Sequence, residues 1–142
     1  MPNFLVVKNL ALPDDYSIIE LDGHKILTLR GFYEEIGEAL AFPEEFGFTI
    51  ESLDEMLSNL SWLEDEKIVV YISPSEHFIE KERNPEKIGT LLNLLDAICE
   101  DWRWDDDNED LPKKELIFAF ADSARIRELL DKQEISYRKD AK

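Results

Sequence analysis

The stretch KIVVYIS, residues 67–73, sets the class of fold. From Ile68 to Ile72 apolar, mostly β-branched side chains follow one another without the polar alternation of a half-exposed strand. Such a run reads as a strand buried on both faces, the usual condition inside a parallel sheet. ELIFAFA, residues 115–121, is a second run of this kind. Between them Pro74 and Pro85 punctuate a loop, and the spacing from Pro85 to Trp102 predicts the longest helix of the chain. Upstream, Phe4–Lys8 and Ser17–Asp22 (SIIELD) are expected strands, the first ended by the Pro13-Asp14-Asp15 turn and the second by Asp22-Gly23. Strands separated by helices imply an α/β fold with a largely parallel sheet. At 142 residues, with no internal repeat and no linker, residues 1–142 are expected to form one domain.

Two helices lie between SIIELD and KIVVYIS. Phe32, Ile36, Ala39 and Leu40 recur at helical spacing, which predicts a helix of about ten residues before Pro43. FPEEFGFT, residues 42–49, is then a connector in which Gly47 is expected to supply the turn. Thr49 suits the N-cap of the next helix, with Phe48 and Leu53 placed as a hydrophobic staple. Ser52 with Glu55 spells a competing capping box three residues later. Ile50, Leu53, Leu57 and Leu60 form the apolar stripe of this helix. At 100° per residue, Glu51 and Glu55 lie opposite the stripe, with Asp54 on its shoulder. Glu51 falls in the first turn, where the helix dipole favours an anion; Glu55 has no such support. Farther on, Ser123–Lys132 reads as a helix with Ser123 near its cap, and Ile135–Arg138 as a last strand.

Charge narrows the function. The chain has 33 acids against 16 bases, a formal net charge of −17 and a sequence pI near 4.4. From Gly31 to Glu66 there are 11 acidic side chains and no Lys, Arg or His. Direct nucleic-acid binding and anionic membranes are thereby disfavoured, and basic proteins become the natural partners. The 44% hydrophobic and 11% aromatic content argues for a folded globule rather than an acidic disordered segment. The start of the chain lacks the basic and apolar regions of a leader, and nothing approaches the roughly 20 apolar residues of a membrane span, so a cytoplasmic protein is expected. Cys99 is the only cysteine and sits in the apolar pattern LLNLLDAICEDW, as a buried thiol would.

Catalytic chemistry finds little support. His24 and His77 sit in polar turns without a nucleophile nearby in sequence, and no phosphate loop or nucleophile elbow is present. Paired acids such as Glu51 and Glu55 can perform hydrolysis, but a convex helix face makes a poor cleft. The acidic run Asp105–Asp110 has Asp110 where a calcium loop needs glycine and Leu116 where it needs glutamate. No catalytic residue, metal or cofactor is expected. Trp62, Trp102 and Trp104 are expected mostly in the core, with Trp104 also placed to flank the acidic run.

The segment LDGHKILTLRGFYEEIGEALAFPEEFGFTIESLDEML, residues 21–57, carries a more specific signal. Asp22-Gly23, Phe42-Pro43, Phe46-Gly47, Thr49, Glu51, Leu53, Glu55 and Leu57 fall in an ungapped pattern that resembles the barstar family, inhibitors of bacterial ribonucleases. The resemblance implies a three-layer α/β fold, a small mostly parallel sheet packed by helices, with a family-like core over about residues 17–121. An extra N-terminal strand and a C-terminal helix and strand would be additions to it. It also implies that the second helix plugs a ribonuclease active site, its carboxylates standing where RNA phosphates would bind. Glu51 and Glu55 match the positions of the inhibitory acids. Asp54 and Glu45 occupy positions often aromatic in the family, and Thr49 stands where Asn is common. Phe46 is grouped with these as a partner contact, although Phe42, Phe46 and Leu53 read as core before contact. The expected partner is a basic ribonuclease toxin bound as a 1:1 heterodimer by a chain monomeric when free. The alternative is an acidic interaction or regulatory module that kept the fold without ribonuclease inhibition, its helix acids no more than a solvated face.

Overall fold

The structure, a computed structural model, describes residues 3–10, 12, 14–104 and 114–139, the side chain of Trp104 excepted. Five strands, β1 (Phe4–Val7), β2 (Ser17–Asp22), β3 (Lys67–Ser73), β4 (Glu115–Ala121) and β5 (Arg138–Lys139), form one sheet in the order β2-β3-β4-β1-β5. Every neighbouring pair is parallel. β3 and β4 hold the centre in the register Ile68↔Leu116 and Val70↔Phe118, and five of the seven residues of β4 are buried. Helices α1 (Leu29–Ala39), α2 (Ile50–Asn59), α3 (Pro85–Trp104) and α4 (Ala124–Lys132) connect the strands. The α/β class and the parallel sheet are as expected from KIVVYIS and ELIFAFA.

Alternate strand residues divide between two apolar clusters, as a pleated sheet requires. Phe4, Val6, Leu21, Ile68, Val70, Phe118 and Phe120 face one side, and the buried residues of all four helices join them there. Leu5, Val7, Val69, Ile117 and Ala119 face the other, covered by Leu10, Leu12 and Tyr16 from the β1–β2 connection. The three layers are therefore helices, sheet and an irregular connection. Tyr16 also donates its hydroxyl hydrogen to Glu115, while Lys67 pairs with Asp15 at 2.7 Å along the same border.

β1 lies beside β4, pairing Phe4 with Phe118 and Val7 with Ala121, and β5 lies outside β1. The last strand is shorter and later than Ile135–Arg138. A left-handed residue, Glu134 (φ 57°), turns the chain, and Ile135 is drawn into the core instead. At the far end β2 stops where Gly23 meets Pro74. A Cβ on Gly23 would stand 1.8 Å from the Pro74 carbonyl oxygen, so the close approach of these two loops requires glycine.

A chain of edge-to-face rings crosses the molecule from the sheet to the α1–α2 connector. Phe4 meets Phe120, Phe120 meets Phe78, Phe78 meets Phe32, and Tyr33 beside Phe32 meets Phe46. Each such pair adds roughly 0.5–1.5 kcal/mol beyond area burial. The connector that leads into α2 is thus anchored to the centre of the fold.

Candidate functional site

The acidic helix is built as its sequence suggests at the start and differently just before it. Thr49 is the N-cap, its Oγ1 accepting the Ser52 N–H at 3.1 Å. Ser52 in turn accepts the Gly47 N–H at 2.8 Å, so it serves the Thr49 start instead of opening its own. Leu53, Leu57 and Leu60 are fully buried and Ile50 half-buried. Phe48, expected in a staple with Leu53, lies at the surface. It adopts a left-handed backbone (φ 55°) and is 36% exposed, with its ring 4.9 Å from that of Phe46. The turn freedom expected at Gly47 falls instead on two non-glycine residues, Phe48 and Ala41 (φ 53°).

Ala41 closes α1. The Phe42 N–H bonds the Gly37 carbonyl at 2.8 Å and the Ala41 N–H bonds the Glu38 carbonyl at 3.2 Å, a Schellman motif with alanine where glycine is usual. This folds the Phe42 ring back against α1, 4.9 Å from Phe46 and 5.9 Å from Trp62. Gly37 makes room, since a Cβ there would lie 3.3 Å from the Phe46 ring.

Glu51, Asp54 and Glu55 are all exposed, as is Glu45. Asp54 accepts the Ser58 hydroxyl at 3.2 Å. Among the described residues Glu45, Glu51 and Glu55 have no ion-pair partner. Phe46, grouped with these as a contact, is only 6% exposed and packs among Tyr33, Phe42 and Phe48, where it shapes the surface from beneath. The acidic run Asp105–Asp110 lies outside the described residues.

The structure adds neighbours that the helical pattern of α2 alone did not reveal. Tyr33 of α1 is nearly buried, and burial raises its pKa, assisted by the charges of Glu51 and Glu82. Glu82, from the β3–α3 connection, thus acts on the same tyrosine as Glu51 of α2. Arg30 holds its guanidinium 4.2 Å above the Phe48 ring and its Nε 3.7 Å from Glu34. This cation marks the border of the acidic surface.

α2 is fixed from behind. The Trp102 indole of α3 donates to the Leu57 carbonyl at 2.8 Å, and the Trp62 indole donates to the Leu40 carbonyl at 2.8 Å. One bond ties α2 to α3 and the other ties the segment after α2 to the end of α1, so the back of the helix is held while its carboxylates face outward. A family model described as Barstar (barnase inhibitor) matches residues 16–121.

The chain belongs to the barstar family. The matched segment runs from the threshold of β2 to the end of β4, so β1, α4 and β5 lie outside it. The family is named for an inhibitor of barnase. Comparison with curated proteins finds no match. Among solved structures, the Aeropyrum pernix ORC2 protein in its ADP form is similar in fold, with a TM-score of 0.53 and 11% identity. That likeness covers 87% of this chain but 32% of the ORC2 chain, so the present chain spans about a third of its length. At such identity only the fold is shared.

Other features of this barstar-family chain have structural roles. His24 pairs with Asp22 at 3.2 Å and His77 with Glu80 at 2.9 Å, both at the surface. Cys99 is buried, and burial drives its thiol pKa far up, so it is no thiolate at neutral pH. Among the described residues no three His, Cys, Asp or Glu side chains gather as a metal site, and no helix is long and apolar enough to cross a membrane.

Proposed function

We propose that this chain is an inhibitor that binds a basic ribonuclease and occludes its active site with the exposed acids of α2. The observation that carries the reading is the pair Glu51 and Glu55. They are exposed, without an ion-pair partner among the described residues, and located on the helix to which the family resemblance assigns inhibition. Like charges four residues apart on a helix repel by roughly 0.2–0.5 kcal/mol. Docked against Arg, Lys or His of a nuclease, that repulsion becomes attraction, and the carboxylates occupy the places of RNA phosphates. Glutamate is one methylene longer than aspartate, so it reaches farther and gives up more rotamer freedom on docking. The complex is 1:1, the free chain a single-domain monomer in the cytoplasm, and nothing is turned over.

The test is inhibition. Purified protein should suppress RNA cleavage by the nuclease encoded beside it, or by one of a panel of small basic microbial ribonucleases. If none is inhibited while a basic non-nuclease protein is captured, the acidic interaction module is the correct reading.

Association should also be steered by charge. The acids of residues 31–66, a stretch with no cation of its own, create a negative field that raises the on-rate at low ionic strength. The on-rate should fall steeply as salt shortens the Debye length to about 8 Å near physiological ionic strength. Stopped-flow association that is indifferent to salt up to several hundred millimolar would contradict a steered encounter.

A further inference from the structure

Next to the start of α2 lies an open groove of about 440 Å³, walled by the rings of Phe42, Phe46 and Phe48 and bordered by Glu34, Glu38 and Glu44. Its size is near the small end of ligand sites, roughly 300–1,000 Å³, with room for a long side chain. The Schellman turn at Ala41 and the missing side chain of Gly37 create it, because together they bring Phe42 and Phe46 against α1. Glu38 and Glu44 are exposed and have no ion-pair partner among the described residues.

Aromatic walls and carboxylate edges together select a particular guest. An aliphatic side chain would desolvate the acids without pairing them. A metal ion would need converging ligands, and no such group occurs among the described residues. A guanidinium satisfies both features, since it is planar, weakly hydrated, stacks on rings and forks onto carboxylates. The protein already displays this preference, with Arg30 placed over the Phe48 ring and beside Glu34. We propose that the groove is an arginine-accepting subsite that takes one guanidinium side chain of a docked basic protein. It extends the contact surface from α2 onto the C-terminal half of α1. The identity of that protein rests on the proposed inhibitor function, so the subsite is tested without it.

The probe is the peptide acetyl-Gly-Arg-Gly-amide, titrated into the isotope-labelled full chain and followed by amide chemical shifts. The matching lysine and citrulline peptides serve as comparisons. The arginine peptide should shift Gly37, Glu38, Phe46 and Phe48 saturably at millimolar concentration. It should bind about 3- to 5-fold tighter than the lysine peptide, in keeping with a cation–π contact at a partly exposed ring. The citrulline peptide should leave these amides unmoved. Glu38→Gln with Glu44→Gln should weaken binding at least about 3-fold, whereas Glu51→Gln with Glu55→Gln should leave the groove shifts in place. Equal curves for arginine and lysine, or shifts centred on α2, would overturn the subsite. Peptide binding without inhibition of any ribonuclease would refute the inhibitor reading alone. Inhibition without arginine selectivity in the groove would refute the subsite alone.

Discussion

Glu55→Ala should weaken binding to the target ribonuclease by roughly 2–5 kcal/mol and leave the free protein as stable as before, or more stable by a few tenths of a kcal/mol. The binding range is general to truncation of one member of a desolvated charge pair, and the founding inhibitor of this family is itself a standard example of it. The loss arises because the partner's cation remains buried after its counter-charge has gone. The free protein behaves oppositely. Glu55 is exposed and has no ion-pair partner among the described residues, and it stands four residues from Glu51. Its removal relieves repulsion and breaks nothing. Glu51 gives a less clean contrast, since it lies in the first turn, where the helix dipole favours it, and its charge also bears on Tyr33. Asp54→Ala should matter less, because that side chain is on the shoulder and engaged by Ser58. The measurement is a pair of numbers per variant, partner affinity and denaturant midpoint. A proportional fall in both assigns the acids a structural role, and no change in either leaves α2 a merely solvated face.

These expectations depend on features that differ in how far local sequence specifies them. The central strands were legible because Ile68–Ile72 and Leu116–Phe120 are apolar throughout, and only a doubly covered strand tolerates that. The start of α2 was legible because capping is local chemistry, confined to Thr49 and the residues just after it. The exposure of Glu51 and Glu55 followed from helical periodicity. The connector was not legible in detail. Left-handed backbone at Ala41 and Phe48 runs against residue preference; at Ala41 it belongs to the Schellman turn, and Phe48 sets its ring against Phe46. The position of β1 between β4 and β5 is a pairing between distant segments, which no local pattern encodes. The same holds for the groove and for Tyr33 with Glu82, assembled from α1, the connector and the β3–α3 segment. Phe46 was legible as core before contact, and its ring is buried.

Trp102→Ala should reverse the signature of Glu55→Ala, costing about 3–5 kcal/mol of stability, as truncation of a buried tryptophan generally does. The indole is 6% exposed and joins α3 to the back of α2. Its loss opens a cavity against the apolar stripe and leaves the Leu57 carbonyl without its indole donor. Leu57 itself is fully buried in α2 and Leu95 and Ile98 in α3, so little nearby can move outward to fill the space. Against a total stability of roughly 5–15 kcal/mol for a domain, such a loss removes much of the reserve. Trp102→Phe separates the two contributions: it keeps much of the apolar contact and removes the N–H, for an expected cost of about 1–3 kcal/mol. Urea unfolding should show a lower midpoint at unchanged slope for both variants, and hydrogen exchange should accelerate first in α2. Inhibition should then weaken only under conditions in which α2 opens, because Trp102 is covered and cannot itself meet a ribonuclease. A Trp102→Ala variant that keeps its unfolding free energy within about 1 kcal/mol of the parent would mean that α2 does not depend on α3 for its position. In that case its carboxylates would be carried by a mobile helix, and the 2–5 kcal/mol expected at Glu55 would shrink, since part of the binding energy would go into ordering the helix on the partner.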